Sequence, residues 1–222
     1  GGQVALFSLE MSAEQLATRI LAEQSGIPSS DIRRGNIHES QFTRLVDTSN
    51  LMAQVPLYID DTGGLSVSQL AARARRLKRQ KGLDLIIIDY VQLLSGSSRR
   101  SNENRVQELT EITTTLKALA KELEVPIIAL SQLSRQVENR DDKHPQLADL
   151  RESGSLEQDA DLVLFLWREK ERGSDDQVTE GEVVKMKLAK HRNGPRGEID
   201  LCFKKSQTRF VNYAGERFAD VG

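Results

Sequence analysis

The sequence has only one cysteine, Cys202, among its 222 residues, which excludes an intrachain disulfide and a cysteine-rich zinc site. Cys202 alternates with Leu201 and Phe203, so we expect an ordinary strand residue. No apolar run approaches the roughly 20 residues that a membrane-spanning helix requires. The N-terminal residues show no basic segment followed by the apolar core of a signal peptide. These absences predict a cytoplasmic protein with no membrane partner.

Neither sign of charge dominates the chain. Lys and Arg number 31 and Asp and Glu number 33, for a formal net charge of −2. This near-balance excludes a strongly basic nucleic-acid coat, but not a ring that grips one strand with a few residues per subunit. With 29% charged and 38% hydrophobic residues, the chain fits a globular protein large enough for one core.

Apolar runs alternate with helical patterns along most of the chain, which is typical of an α/β domain with a largely parallel sheet flanked by helices. The predicted strands are 4–9, 57–59, 85–88, 127–130 and 161–167, and the predicted helices are 13–25, 41–51, 66–82 and 106–123. The aliphatic run 85–88 indicates a strand buried on both faces. Beyond Gly181 apolar and polar residues alternate, which predicts a C-terminal antiparallel hairpin.

Two predicted helices carry clear start and stop signals. Ser12 and Gln15 stand in capping-box positions before the first helix, and Ser66 and Gln69 do so before a later one. A glycine follows the expected end of each, at positions 26 and 82. These signals define the helix boundaries independently of any sheet.

Three polar residues, Glu10, Asp89 and Gln132, follow directly after apolar runs. In an open parallel sheet, ligands bind beyond the carboxyl ends of the strands, so the three converge if their strands are neighbours. A carboxylate at the tip of a rigid, dry strand can hold the water shell of a nucleotide's Mg²⁺. A second carboxylate nearby can orient an attacking water.

Structural interpretations compete with these. Asp89 can be a helix N-cap, although Tyr90-Val91 does not open an obvious helix. Glu10 can serve the N-terminus of the helix that follows Ser12.

Lys190 and Arg192 stand close to the expected hairpin turn. On a strand their side chains leave the same face, and Asn193-Gly194 then turns the chain. A hairpin tip suits a residue that reaches into a neighbouring molecule. The alternative is an exposed basic turn.

Two other basic segments need an interpretation. Six cations lie between Arg73 and Lys81, on the polar side of an amphipathic helix, which favours a solvated or subunit-facing surface over a DNA grip. The Gly/Ser-containing segment 95–104 predicts a mobile loop. Its Arg99 and Arg100 are better candidates for facing a central channel.

Five motifs occur in an order that resembles a known family. They are FSLEMS at 7–12, IDYVQL at 88–93, LSQLSR at 130–135, DLRESGSLEQDAD at 149–161 and KHRNGP at 190–195. Together they resemble the C-terminal motor domain of the DnaB-type bacterial replicative helicases, a RecA-like P-loop NTPase core. The last two motifs are highly specific, and the resemblance covers essentially all of residues 1–222.

The resemblance implies a role for each strand-end residue. Glu10 is the carboxylate that activates water, Asp89 is the Walker B aspartate that holds Mg²⁺ through water, and Gln132 is the sensor near the γ-phosphate of ATP. Arg19 resembles a nucleotide-contacting arginine of the family, with a solvated helix residue as the alternative.

The resemblance also implies contacts outside the chain's own pocket. Arg192, together with Lys190, corresponds to an arginine finger that enters the next subunit's site. Arg151, Glu152 and Gly154 resemble the family's single-stranded DNA loop, in which a side chain and backbone amides hold phosphates. Without the resemblance, this last stretch could be a helix entry.

The phosphate cradle of the family is missing from these residues, because no G-x-x-x-x-G-K-[ST] motif is present. In the family the P-loop, its strand and its helix precede the position that matches Gly1. We therefore expect residues 1–222 to be a motor domain truncated at its N-terminus and inactive alone. The N-terminal helical domain that engages primase is absent as well.

The resemblance implies that the full-length protein is an ATP-hydrolysing replicative DNA helicase of the bacterial cytoplasm. It would act as a homohexamer on encircled single-stranded DNA at the replication fork, with a helicase loader and primase as partners. Two alternatives are a ring or scaffold module without ATP binding and a recombinase-type RecA-like ATPase. Retention of the candidate catalytic residues argues against the first, and the 151–161 stretch argues against the second.

Overall fold

The computed structural model describes residues 1–96, 105–134, 137, 140, 144–153, 155–168 and 182–213, with the backbone alone at 151–153. The helices are α1 (Ala13–Ser25), α2 (Ser29–Arg34), α3 (Glu39–Met52), α4 (Val67–Lys81), α5 (Arg105–Leu123) and α6 (Leu156–Asp159). The strands are β1 (Val4–Ser8), β2 (Leu57–Asp60), β3 (Leu85–Asp89), β4 (Ile127–Ala129), β5 (Leu162–Trp167), β6 (Glu182–His191), β7 (Gly197–Lys204) and β8 (Arg209–Asn212). Short 3₁₀ turns cover Val91–Leu93, Leu147–Ser153 and Lys205–Gln207.

The chain divides into two compact units. The first comprises Gly1–Leu16 with Ala53–Ala160, and the second comprises Ala17–Met52 with Asp161–Gly222. The first unit contains a four-stranded sheet in the order β2-β1-β3-β4, and every pairing in it is parallel. This confirms the predicted parallel sheet and makes β1, β3 and β4 consecutive neighbours.

The hydrophobic core of the first unit lies on one face of this sheet. Phe7 of β1 and Ile86 and Ile88 of β3 belong to a buried cluster that also includes residues of α4 and α5. The helix residues in that cluster are Val67, Leu70, Ala71, Ala74, Leu109, Ile112, Leu116 and Leu119. Ile87 is only partly buried because successive strand residues face opposite sides. The expectation that 85–88 is buried on both faces is therefore wrong for the described residues.

Both predicted capping boxes are confirmed. The Gln15 amide N–H donates to Ser12 Oγ over 3.2 Å, and the Ser12 N–H donates to Gln15 Oε1 over 3.1 Å. Ser66 and Gln69 make the same reciprocal pair at the start of α4. At the end of α1, the N–H of Gly26 donates to Ala22 O with φ at 69°. This left-handed conformation is one that glycine adopts without strain.

The second unit contains a four-stranded antiparallel sheet in the order β5-β6-β7-β8. It confirms the predicted hairpin, formed by β6 and β7, and extends it on both sides. The strand 161–167 was predicted without a partner, and it pairs antiparallel with β6. Alternation along β5 buries Val163 and Phe165 while leaving Leu164 55% exposed.

Other sequence predictions have simple outcomes. Cys202 is a free thiol within β7, as expected of a plain strand residue. The helix α2 follows Pro28 and was not predicted, because six residues are too few to show a helical period. Among the described residues, none of the helices is both long and apolar enough to cross a bilayer.

Candidate active site

The backbone ladder of the parallel sheet brings the ends of β1 and β3 together. Ser8 pairs with Asp89 in register, and the Leu9 N–H donates to Asp89 O over 2.7 Å. The buried Ser8 hydroxyl donates to Met11 O over 2.6 Å and so defines the turn after β1. Glu10 lies within that turn, beside the tip of β3.

The end of β4 is held against β3 from the other side. The Leu130 N–H donates to Ile88 O over 2.9 Å, and the Val91 N–H donates to Leu130 O over 2.9 Å. Gln132 follows two residues later. All three candidate side chains therefore start from backbone that is hydrogen-bonded, directly or through one neighbour, to the end of β3.

These strand ends surround an open depression of about 310 Å³. Its lining residues are Glu10, Asp89, Tyr90, Leu130, Ser131 and Gln132. The convergence expected from the strand ends is therefore present in the structure. The chemical roles of the three polar residues remain predictions.

The helix that follows β1 does not use Glu10 for its N-terminus. The first N–H groups of α1 are served by the capping box of Ser12 and Gln15, and Asp61 Oδ2 accepts the Ala13 N–H over 2.9 Å. Among the described residues, none makes a hydrogen bond or an ion pair with the exposed Glu10 carboxylate. The structure thus favours a functional interpretation of Glu10 over a capping one.

Asp89 is not a helix cap either. A 3₁₀ turn does follow it at Val91–Leu93, but the N-cap position is Tyr90 and no side chain caps the turn. Asp89 is the last residue of β3 and is partly buried at the depression. Its carboxylate has no hydrogen-bonding partner within the described residues, so it is available to a ligand.

The donor set fits a metal that is bound together with a nucleotide. Across the described residues, no group of three or more His, Cys, Asp and Glu side chains could hold a metal ion. One partly buried carboxylate next to open space suits Mg²⁺, which keeps several waters and takes further ligands from phosphates. Asp89 would hold those waters.

The side chain of Gln92 lies behind the depression, and the sequence interpretation missed its role. Its Nε2 donates to Ser131 Oγ over 2.8 Å and to Gln132 O over 3.0 Å, while its Oε1 accepts the Gln132 N–H over 3.3 Å. Gln92 belongs to the quoted IDYVQL motif, which was the only available signal. Its partners lie about 40 residues further along the chain.

In the second unit, Arg192 is not a strand residue as predicted, because β6 ends at His191. Arg192 begins the turn, and its N–H donates to Asp161 O over 2.9 Å. Its guanidinium donates to Asp161 Oδ1 over 2.7 Å, with both side chains more than half exposed. Such an exposed pair is weak, so it can exchange for another anion.

Lys190 pairs in register with Val163, on β6 and β5 respectively. Arg19 is exposed on α1, so the structure leaves both of its interpretations open. The turn after Arg192 is sterically constrained, because a Cβ on Gly194 would lie 2.2 Å from the His191 ring.

The candidate DNA segment is only partly described. Arg151 and Glu152 lie in the 3₁₀ turn Leu147–Ser153, and nothing is described of their side chains. Gly154 lies outside the described residues, as do Arg99 and Arg100.

Much of the basic segment 73–81 is engaged within the chain. Arg75 makes two 2.7 Å hydrogen bonds to Glu122, and Lys78 Nζ donates to Leu83 O over 2.8 Å. Arg73 forms an ion pair with Asp60. These contacts support the structural interpretation of this segment over a DNA grip.

An open parallel sheet with flanking helices, and with acidic residues at the tips of neighbouring strands beside a depression, is the architecture of a RecA-like ATPase domain. Two solved structures are similar to the chain. One is described by its title as an ATPase domain, with a TM-score of 0.87 and 37% identity over 96% of this chain and 75% of that one. The other is a DnaB-like replicative helicase described with its interactions with primase, with a TM-score of 0.86, 37% identity, and coverage of 96% and 52%.

The family model of the DnaB-like helicase C-terminal domain matches residues 1–212, and the chain belongs to this family. The replicative DNA helicase DnaC of Bacillus subtilis (strain 168) is 48% identical over 99% of this chain and 47% of its own length. The replicative DNA helicase DnaB of Geobacillus stearothermophilus is 48% identical over 94% and 45%. The chain thus spans about half the length of these curated relatives.

Proposed function

We propose that this chain is the ATP-hydrolysing motor of a replicative DNA helicase. The observation that carries the proposal is the convergence of Glu10, Asp89 and Gln132 on one depression at the carboxyl ends of three adjacent strands. Family membership and relatives named as replicative DNA helicases support the same activity. They also argue against a recombinase-type ATPase.

Each site residue has one task in this proposal. Glu10, whose carboxylate is free among the described residues, accepts the proton of the attacking water as a general base. Asp89 orients the waters of Mg²⁺ from a rigid strand end. Gln132 donates a side-chain hydrogen bond toward the terminal phosphate, from a segment whose backbone is already held.

Bound ATP and Mg²⁺ would supply the transferable phosphoryl group and neutralise the charge that develops on it. The 222 residues contain no Walker A motif. We therefore propose that the phosphate cradle belongs to a part of the protein outside these residues. Residues 1–222 would then be one portion of a RecA-like motor domain.

Arg192 is proposed to act in trans in a homohexameric ring, with Lys190 beside it. An exposed guanidinium in a turn can reach an adjacent subunit, and its ion pair with Asp161 is weak enough to exchange. A finger of this kind stabilises negative charge on the transferring phosphoryl group. Arg19 would contact the nucleotide from α1.

Single-stranded DNA is the proposed track of the motor. Arg151, Glu152 and Gly154 would hold phosphates, which confers affinity without sequence preference. A helicase loader and primase are proposed partners, the latter suggested by the printed title of a similar structure. The proposed location is the bacterial cytoplasm, at the replication fork.

The proposal is tested on the full-length protein with Asp89→Asn and Glu10→Gln. Steady-state ATP turnover should fall by about 10²-fold or more in each variant, because a metal ligand or a positioned base is lost. Hexamer formation, measured by light scattering, should be unchanged. Asp47→Asn, an exposed acid on α3, is the matched control and should turn over ATP normally. Near wild-type turnover in either site variant would overturn the assignment and favour a ring or scaffold without catalysis.

A further inference from the structure

The amide of Gln92 holds the main chain of Gln132 at two points. Its Oε1 accepts the Gln132 N–H over 3.3 Å, and its Nε2 donates to the Gln132 carbonyl over 3.0 Å. A third bond joins Nε2 to Ser131 Oγ over 2.8 Å. One side chain thus satisfies the donor and the acceptor that a neighbouring strand would otherwise satisfy.

This hold begins where the sheet ends. The strand β4 stops at Ala129, and the last backbone bonds to the β3 side involve Leu130. Without Gln92, the N–H of Gln132 would have no partner among the described residues, and its carbonyl would keep only a 3.4 Å bond from the adjacent Ser131 hydroxyl. A glutamine side chain on such a segment would sample many positions relative to the strand tips.

Gln92 is itself held in place. Arg105 Nη2 donates to the Gln92 carbonyl, and Arg105 also forms an ion pair with Glu108. Glu108 is only 4% exposed and accepts the Gly96 N–H over 2.9 Å. A buried carboxylate on α5 thereby anchors the arginine that anchors Gln92.

We propose that Gln92 is a positioning residue for ATP hydrolysis, acting through the backbone of Gln132. The inference rests on the proposed function of the depression and adds a residue to it. Gln92 is not among the residues that line the depression, so it does not touch the reacting atoms. It determines where the Gln132 side chain starts. Since an error of about 1 Å in a catalytic group can cost about 10²-fold in rate, the loss of this hold should be visible in kcat.

The experiment uses full-length Gln92→Met, which keeps the chain length and removes the amide, with Gln92→Ala as a second variant. We expect kcat for ATP to fall roughly 10-fold to 10²-fold while the KM for ATP stays within about 2-fold. Gln80→Ala, an exposed glutamine on α4, is the matched control and should behave as wild type. If one Gln92 variant does not fold, as judged by thermal unfolding, the other decides.

A double-mutant cycle separates positioning from a structural role. When Gln132 is already alanine, Gln92→Met should have no further effect on kcat, because the group that it positions is gone. Full additivity of the two losses would overturn the inference, as would wild-type kcat in the folded Gln92 variants or in Gln132→Ala. Turnover in Asp89→Asn, measured in parallel, shows whether the proposed function itself has failed.

Discussion

Thr113 and Asp159 are joined by a hydrogen bond of 2.7 Å from Thr113 Oγ1 to Asp159 Oδ2, which links the middle of α5 to the end of α6. Ser155 Oγ donates to the same oxygen over 2.7 Å. On the other side of the candidate DNA segment, Asp149 accepts from Arg140 over 2.8 Å and from the Gln146 N–H over 2.7 Å. The turn that carries Arg151 is therefore fixed at both ends.

Replacing Thr113 by valine should disturb this anchor without changing the volume of the side chain. Thr113 is 4% exposed and donates to an ionised group, so Thr113→Val should lower the free energy of unfolding by about 1–3 kcal/mol. In the full-length protein, single-stranded DNA should bind more weakly with an unchanged salt dependence, because no phosphate contact is lost. Chemical denaturation and fluorescence anisotropy measure the two effects. Unaltered stability would contradict the anchor.

Arg151→Ala should weaken single-stranded DNA binding about equally for all sequences. The slope of log Kd against log salt should change by about 1, as expected for one lost phosphate contact. Anisotropy titrations at several salt concentrations measure this slope. Arg79→Ala, an exposed cation on α4, is the control and should leave the slope as it is. An altered sequence preference at constant slope would exclude a phosphate role for Arg151.

Mixing two inactive full-length variants should restore ATP turnover if Arg192 acts in trans. Arg192→Ala and Glu10→Gln are each expected to be nearly inactive, since an arginine finger contributes about 10³-fold or more. In mixed rings, some interfaces join an intact Glu10 to a neighbour's intact Arg192, so activity should depend on the mixing ratio. Arg196→Ala, an exposed arginine just beyond the same turn, should be active alone. No rescue at any ratio, with subunit exchange verified, would assign Arg192 to its own subunit's pocket.

The ion pair between Asp60 and Arg73 should make part of the stability depend on pH. Burial acts to raise the pKa of Asp60, but hydrogen bonds from Arg73 and Thr62 outweigh it and leave the pKa below its usual 3.8. A carboxylate with a lowered pKa stabilises the folded state above about pH 4, and this contribution is lost as the pH falls through the folded pKa. The melting temperature of Arg73→Leu should therefore lie below that of wild type at pH 7.

That difference should shrink when melting temperatures are measured below pH 4, where Asp60 becomes protonated in both proteins. Arg76→Leu, an exposed neighbour on α4, is the control and should show no such trend. A constant difference between wild type and Arg73→Leu across the whole pH range would exclude the ion pair as its cause.

Local signals in the sequence were sufficient for several features of the fold and the site. The capping boxes at Ser12 and Ser66 depend only on residues three positions apart, so the helix starts could be predicted. Glu10 and Asp89 were candidates because each follows an apolar run, and a strand end can be recognised without its partners. Family membership was likewise predictable, since five ordered motifs carry it.

Only the tertiary structure decided how distant segments meet. The order β2-β1-β3-β4 makes Glu10, Asp89 and Gln132 neighbours, whereas the sequence made their convergence conditional on that order. The hold of Gln92 on Gln132 spans 40 residues, and the pair of Arg192 with Asp161 spans 31. No local period encodes such pairs, because they follow from which strand edges and helix faces come together when the core is buried.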